Sequence, residues 1–148
     1  MSTFKDKLKF MEGIFKLYIF NRDGNLVDYQ EDKNLIVISG RNTMSKLLGE
    51  SLNDRRITKI GFADDVSEED ENTTEFSDSY IKSLDNYTYP SETSVKFVWS
   101  LDFGEYNENV ITNYGLFTEA EHLFAMKVRP SITKDEYIAI NGEWTVLL

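Results

Sequence analysis

The sequence predicts a mainly β protein, an antiparallel β-sandwich or partly closed barrel with one short helix at about residues 40–49. Three observations carry that expectation. Residues 95–103 and 138–148 alternate apolar and polar side chains at period two, the signature of strands with one buried face. Elsewhere, β-branched and aromatic runs are punctuated by turn residues, with no strand–helix–strand rhythm that would call for a parallel sheet. Aromatic residues make up 14% of the 148 residues, a generous supply for the core of one domain. A domain of this size buries about 70% of the surface its unfolded chain exposes, so it needs no disulfide or metal to fold.

Residues 1–12 read as an N-terminal arm or short helix and residues 13–148 as a single β-rich domain. In the arm, Phe4, Leu8, Phe10 and Met11 stand among Lys5, Lys7 and Lys9. Such a segment packs on its own domain or docks on a neighbouring subunit. Residues 14–20 then form a strand, residues 21–25 a turn in which Gly24 is free to take positive φ, and residues 26–29 the returning strand. A short apolar run at residues 34–38 precedes the helix. Ser39 is placed to cap it, Met44, Leu47 and Leu48 to share one face, and Gly49 to end it.

Residues 57–63 are a further strand, in which Gly61 marks a bulge or a close backbone approach. Residues 64–78 carry eight carboxylates and read as an exposed, self-repelling acidic loop. Tyr80, Ile81 and Leu84 offer one short apolar face, as a helical turn or a strand. After Pro90, residues 95–103 place Val95, Phe97, Trp99, Leu101 and Phe103 on one side. Residues 110–117 return, residues 123–128 follow, and the last strand aligns Ile138, Ile140, Trp144, Val146 and Leu148, with a bulge expected at Gly142. Six to eight strands result.

The chemistry a chain of this composition can carry is limited. Cysteine is absent, which excludes disulfides, thiolate catalysis and cysteine-bound zinc, and fits a reducing cytosol. His122 is the only histidine, and no nucleophile elbow accompanies it. Asp102 and Glu105 flank an aromatic strand as a glycosidase pair would, but strand-end acids are common. Trp99 and Trp144 lie on the apolar parity of their strands, as core residues do. No enzyme activity and no cofactor are expected. Calcium at the acidic stretch 64–71 is the one metal worth weighing, although that stretch lacks the spacing and central glycine of an EF-hand loop. The net charge of −10 disfavours nucleic-acid binding, and no stretch approaches the roughly 20 apolar residues of a membrane span.

The second half carries a resemblance. The strand at residues 95–103 is followed by Tyr114-Gly115-Leu116-Phe117, then Leu123-Phe124-Ala125, then Ile132-Thr133-Lys134, then a closing strand with Trp144. This resembles small tailed-bacteriophage virion proteins of tail, baseplate or fibre-attachment regions. They share a strand followed by I-x-E-x-GLF, LFAR, I-x-K and a final W-x-I strand. The resemblance extends loosely over the first half. Asn113 stands where the family has an acid, and Met126 with Lys127 where it has an arginine. The resemblance implies a virion structural component, made in the host bacterial cytoplasm, whose partners are other virion proteins and copies of itself. A carbohydrate- or receptor-binding module at a tail tip and a capsid decoration protein are the alternatives. On this reading Phe4, Leu8, Phe10, Met11, Glu68, Glu69, Asp70 and Glu71 are candidate interface residues. Phe97, Trp99, Leu101, Gly115, Leu116, Phe117 and Trp144 are structural.

Overall fold

The computed structural model describes residues 11–50 and 53–148. These residues form nine strands, one α-helix and one 3-10 turn. In chain order the elements are β1 (Glu12–Asn21), β2 (Leu26–Ile36), α1 (Ile38–Gly49), the 3-10 turn Asn53–Arg55, β3 (Ile57–Ala63), β4 (Tyr80–Ser83), β5 (Asn86–Ser91), β6 (Ser94–Leu101), β7 (Asn109–Thr118), β8 (Leu123–Lys134) and β9 (Ile138–Leu147).

All strands join one sheet in the order β4-β3-β7-β8-β2-β1-β9-β6-β5, and every pairing is antiparallel. The strand that turns the sheet on itself is β2. It pairs with β1 from Leu26 to Asn34, but reaches β8 only through Leu35 and Ile36. The sheet therefore curls about β2 into a half-barrel, which bears out the mainly β, partly closed architecture expected above. Its two halves face each other.

The core lies between them. Phe15, Leu17 and Ile19 on β1, Phe97, Trp99 and Leu101 on β6, and Ile140, Trp144 and Val146 on β9 face Ile60 and Phe62 on β3, Tyr114 and Leu116 on β7, and Phe124 on β8. Aromatic rings bridge the halves: Phe15 lies 4.9 Å from Tyr114, and Phe62 5.2 Å from Trp99. Full burial of each such side chain stabilises by about 1.5–3 kcal/mol.

Gly142 is not a bulge. It pairs in unbroken register with Leu17 on one side and Trp99 on the other. A Cβ there would overlap the Trp99 indole, so its role is to make room for that ring. Gly61 is likewise in register with Gly115, and a Cβ on it would stand 2.5 Å from the Phe117 ring. The register shift of β3 falls instead between Ile57 and Lys59.

The β3–β7–β8 half has a second layer on its outer face, where Val37, Ala63, Phe76, Phe117, Leu123 and Met126 form a smaller cluster. The start of α1 rests there, and a Cβ on Gly40 would overlap the Phe124 carbonyl. Ser39 does not cap the helix. The N-cap is Val37 and has no side-chain cap; the Ile38 N–H instead donates to the Glu71 carbonyl at 2.8 Å. Helix formation starts early because β2 delivers the chain directly onto β8, where the Val37 N–H donates to the Phe124 carbonyl. Thr43 is buried and Met44 and Leu47 are partly buried, but Leu48 is 85% exposed because the next helical step rotates it away from the sheet. Gly24 takes φ of +79°, with Asn21 Oδ1 accepting the Asp23 and Asn25 N–H groups. No helix among the described residues is long and apolar enough to cross a membrane.

Candidate protein-docking surface

At one end of the sandwich the two halves diverge. The chain passes from β4 to β5 through Leu84 and Asp85, whose N–H groups donate to the Thr58 carbonyl on β3 and the Val98 carbonyl on β6. This crossing forms the apex of a wedge. A groove of about 680 Å³ opens from it, with Ile57, Leu84, Val95 and Phe97 forming much of its apolar lining and Leu47, Tyr87 and Tyr89 adding exposed or half-buried side chains. Tyr87 pairs with the inward-facing Phe97, so Tyr87 and, two residues on, Tyr89 turn toward the groove. They are 57% and 73% exposed, and their rings meet edge to face at 5.9 Å. All six residues of β5 are exposed, and β5 ends the sheet.

Exposed aromatics beside a strand edge that is unpaired among the described residues form a surface suited to an extended partner segment. Leu47, Leu84, Val95 and Phe97 were each read from the sequence as apolar positions of their own elements, whereas Tyr87 and Tyr89 were not singled out. The available signal was the alternation of Tyr87 and Tyr89 before Pro90, a residue that sheets tolerate at edges.

The sequence-derived candidates are placed as follows. Phe4, Leu8 and Phe10 lie outside the described residues. Met11, on the inward parity of β1, is partly buried against the main core. Glu68, Glu69, Asp70 and Glu71 lie on the 64–78 loop, which is anchored rather than freely solvated. Phe76 from that loop is buried against Phe117 at 6.0 Å. Asn113, fully buried in β7, accepts the Asp65 and Val66 N–H groups through Oδ1 and donates to the Val66 carbonyl through Nδ2.

Two of the loop acids are held by cations of the same chain: Glu69 lies 3.4 Å from Lys127 Nζ, and Glu71 lies 3.0 Å from Arg41. Lys127 also contacts Asp32 at 3.0 Å, and this hydrogen bond holds the Asp32 carboxyl below its ordinary range. Arg129 joins the same Asp32. The loop's charge is thus partly neutralised where it meets β8, while Glu68 and Asp70 remain exposed. Among the described residues, no group of three or more acids or histidines is placed to hold a metal ion.

Phe97, Trp99, Leu101, Gly115, Leu116, Phe117 and Trp144 are buried. The two tryptophans therefore offer no sugar platform. Glu105 is bound by Lys82 at 2.8 Å and by the Tyr80 hydroxyl at 3.2 Å. Burial pushes its carboxyl up, but these partners and the Asp102 N–H outweigh it, and the net shift is downward. His122 is exposed in the turn between β7 and β8, where its carbonyl accepts the Thr118 N–H. Lys134 is fully buried at the end of β8, and its ammonium donates to Asn107 Oδ1 and the Asp135 carbonyl, tying down the loop before β7. Burial lowers its pKa despite the nearby Asp135.

No family model, curated protein or solved structure matches this chain.

Proposed function

We propose that the chain is a structural component of a bacteriophage virion, placed in the tail at a baseplate, tail-tip or fibre-attachment position, and that it works through protein–protein contacts. The observation that carries this reading is the motif set of the second half. Its GLF and LFA segments are neighbours across β7 and β8, where Gly115 pairs with Met126 and Leu116 with Ala125. Motifs that meet in this way serve one packed unit. The exposed groove and the β5 edge, unpaired among the described residues, supply a surface for assembly.

Electron microscopy of particles bearing a small label fused to this chain tests the proposal. Label density at a fixed tail position is the expected result. Particles that lack the chain overturn the virion reading, and label spread over the capsid shell replaces the tail position with capsid decoration.

The rival reading, a glycan-binding module at the tail tip, is favoured by one observation, the exposed Tyr87–Tyr89 pair. Because Trp99 and Trp144 are buried, its readout is tyrosine emission. A glycan-dependent change lost in Tyr89→Ala would support it.

A further inference from the structure

The groove has a complement in the chain's own sequence. Residues 4–10 read Phe-Lys-Asp-Lys-Leu-Lys-Phe. In an extended conformation Phe4, Asp6, Leu8 and Phe10 fall on one side, with Leu8 and Phe10 adjacent on it, and Lys5, Lys7 and Lys9 on the other. The Leu8–Phe10 end facing the groove and the lysine side facing outward suit an acidic chain, whose net charge is −10 overall. Strand addition uses this arrangement: main-chain hydrogen bonds form along a sheet edge, while alternate side chains enter an apolar trough.

We infer that residues 4–10 of one copy add as a strand to the β5 edge of a second copy, with Leu8 and Phe10 seated over Tyr87, Phe97 and Leu47. The inference rests on the reading of the chain as a building block that works through protein contacts, and it names the partner as another copy.

Geometry favours exchange between copies over docking within one. Gly13 on β1 is level with Val146 on β9, and Val146 is level with Val95 in the groove. β1 therefore begins at the groove's own end. To reach the outer edge of its own β5, however, the segment before β1 must cross β9, β6 and β5. That is four strand spacings, about 19 Å, which consumes about six extended residues. Leu8 and Phe10 would then lie on the crossing instead of along the edge. A neighbouring copy presents the same edge without the crossing. Pro90 has no N–H to give, so pairing is confined to residues 86–89.

The test compares the purified full chain, a variant lacking residues 1–10, and a synthetic peptide of residues 3–11. By analytical ultracentrifugation the full chain should self-associate with rising concentration. The deletion variant should be a monomer with an unchanged circular-dichroism spectrum. The peptide should bind that monomer and shift the backbone resonances of residues 86–89, Leu47 and Phe97. Leu8→Asp or Phe10→Asp in the peptide should weaken binding by roughly tenfold or more, as removal of a buried anchor does. If the deletion variant does not fold, the same two substitutions in the full chain give the answer: dissociation supports the inference and undiminished mass overturns it. A full chain that stays monomeric, association that survives the deletion, or peptide shifts away from β5 also overturn it. Self-association through this edge in a chain absent from particles overturns the virion reading alone. Incorporation into particles without such association overturns this inference alone.

Discussion

Tyr114 sits where the two halves of the sheet meet, 4.9 Å from Phe15 and 5.9 Å from Trp99, and its hydroxyl has no hydrogen-bond partner among the described residues. A buried hydroxyl without a partner costs about 1–3 kcal/mol. Tyr114→Phe keeps the ring and should raise stability by about 1 kcal/mol in urea unfolding at neutral pH. The sign of its pH dependence follows from burial, which pushes the phenol well above its ordinary value of 10.0. The unfolded chain ionises from that value upward while the folded chain keeps the proton, so the stability linked to this group is full below pH 10 and falls as pH rises beyond it. Tyr114→Phe should flatten that alkaline decline. Tyr29, Tyr80 and Tyr106 are shifted in the same direction and should retain part of it. Gly142 gives the opposite case. Gly142→Ala drives a methyl into the Trp99 indole in the middle of β9 and should destabilise by about 3 kcal/mol, read as a lower urea midpoint at unchanged slope. The inward parity of Trp99 was legible in its strand. The reason for Gly142 was not, because it depends on the register between β6 and β9, which no local pattern encodes.

At the scale of the element, alternation was legible where a strand has one wet face and one dry face, as β6 and β9 do, whereas β1 was read from its β-branched and aromatic residues and the turn that follows. β5 exposes all six residues and was missed, because the Tyr87–Tyr89 alternation is too short to stand out beside the polar residues around it. β2 and β8 were each read as shorter pieces. β2 passes from an exposed edge into the core, and β8 runs out of it past Pro130, so neither keeps one burial pattern along its length. The 64–78 loop was read from its charge, yet three uncharged features place it: Phe76, the Asn113 amide, and the Glu71 carbonyl at the start of α1. Asn113→Asp tests that account. A carboxylate can still accept the Asp65 and Val66 N–H groups, but it loses the donor to the Val66 carbonyl and adds a buried charge beside Asp64 and Asp65. The substitution should cost about 2 kcal/mol and speed amide hydrogen exchange at residues 65–77 far more than in the sheet. Uniform acceleration across β1 and β9 would assign Asn113 to the core rather than to the loop.

At the scale of the whole molecule, the groove draws its walls from α1, β3, β4, β5 and β6, which are distant in sequence and meet only once the sheet has curled. A docking surface assembled in that way follows from topology, which is why residue patterns did not reveal it. The same topology makes the C-terminal strand central. β9 lies between β1 and β6, pairs with β1 across ten positions and with β6 across eight, and contributes Ile140, Trp144 and Val146 to the core. The loss of those three side chains alone removes about 5–9 kcal/mol of burial. That is comparable with the whole stability of a domain, about 5–15 kcal/mol. It would also strand two long apolar edges, on β1 and β6, with nothing to pair them. A chain ending at residue 137 should therefore fail to fold, with lost far-ultraviolet strand signal and aggregation on concentration. Removal of β4, four residues at the opposite margin, takes away only one outer pairing. Replacing residues 80–83 with a Gly-Ser segment should leave a cooperative transition at reduced stability. If the two changes proved equally damaging, the half-barrel would be cooperative to its rim, and the wedge beside β4 and β5 would be as rigid as the core. If the difference is as large as the pairing implies, the sheet draws its stability from its central strands and its β4 margin adds to it without being required for folding.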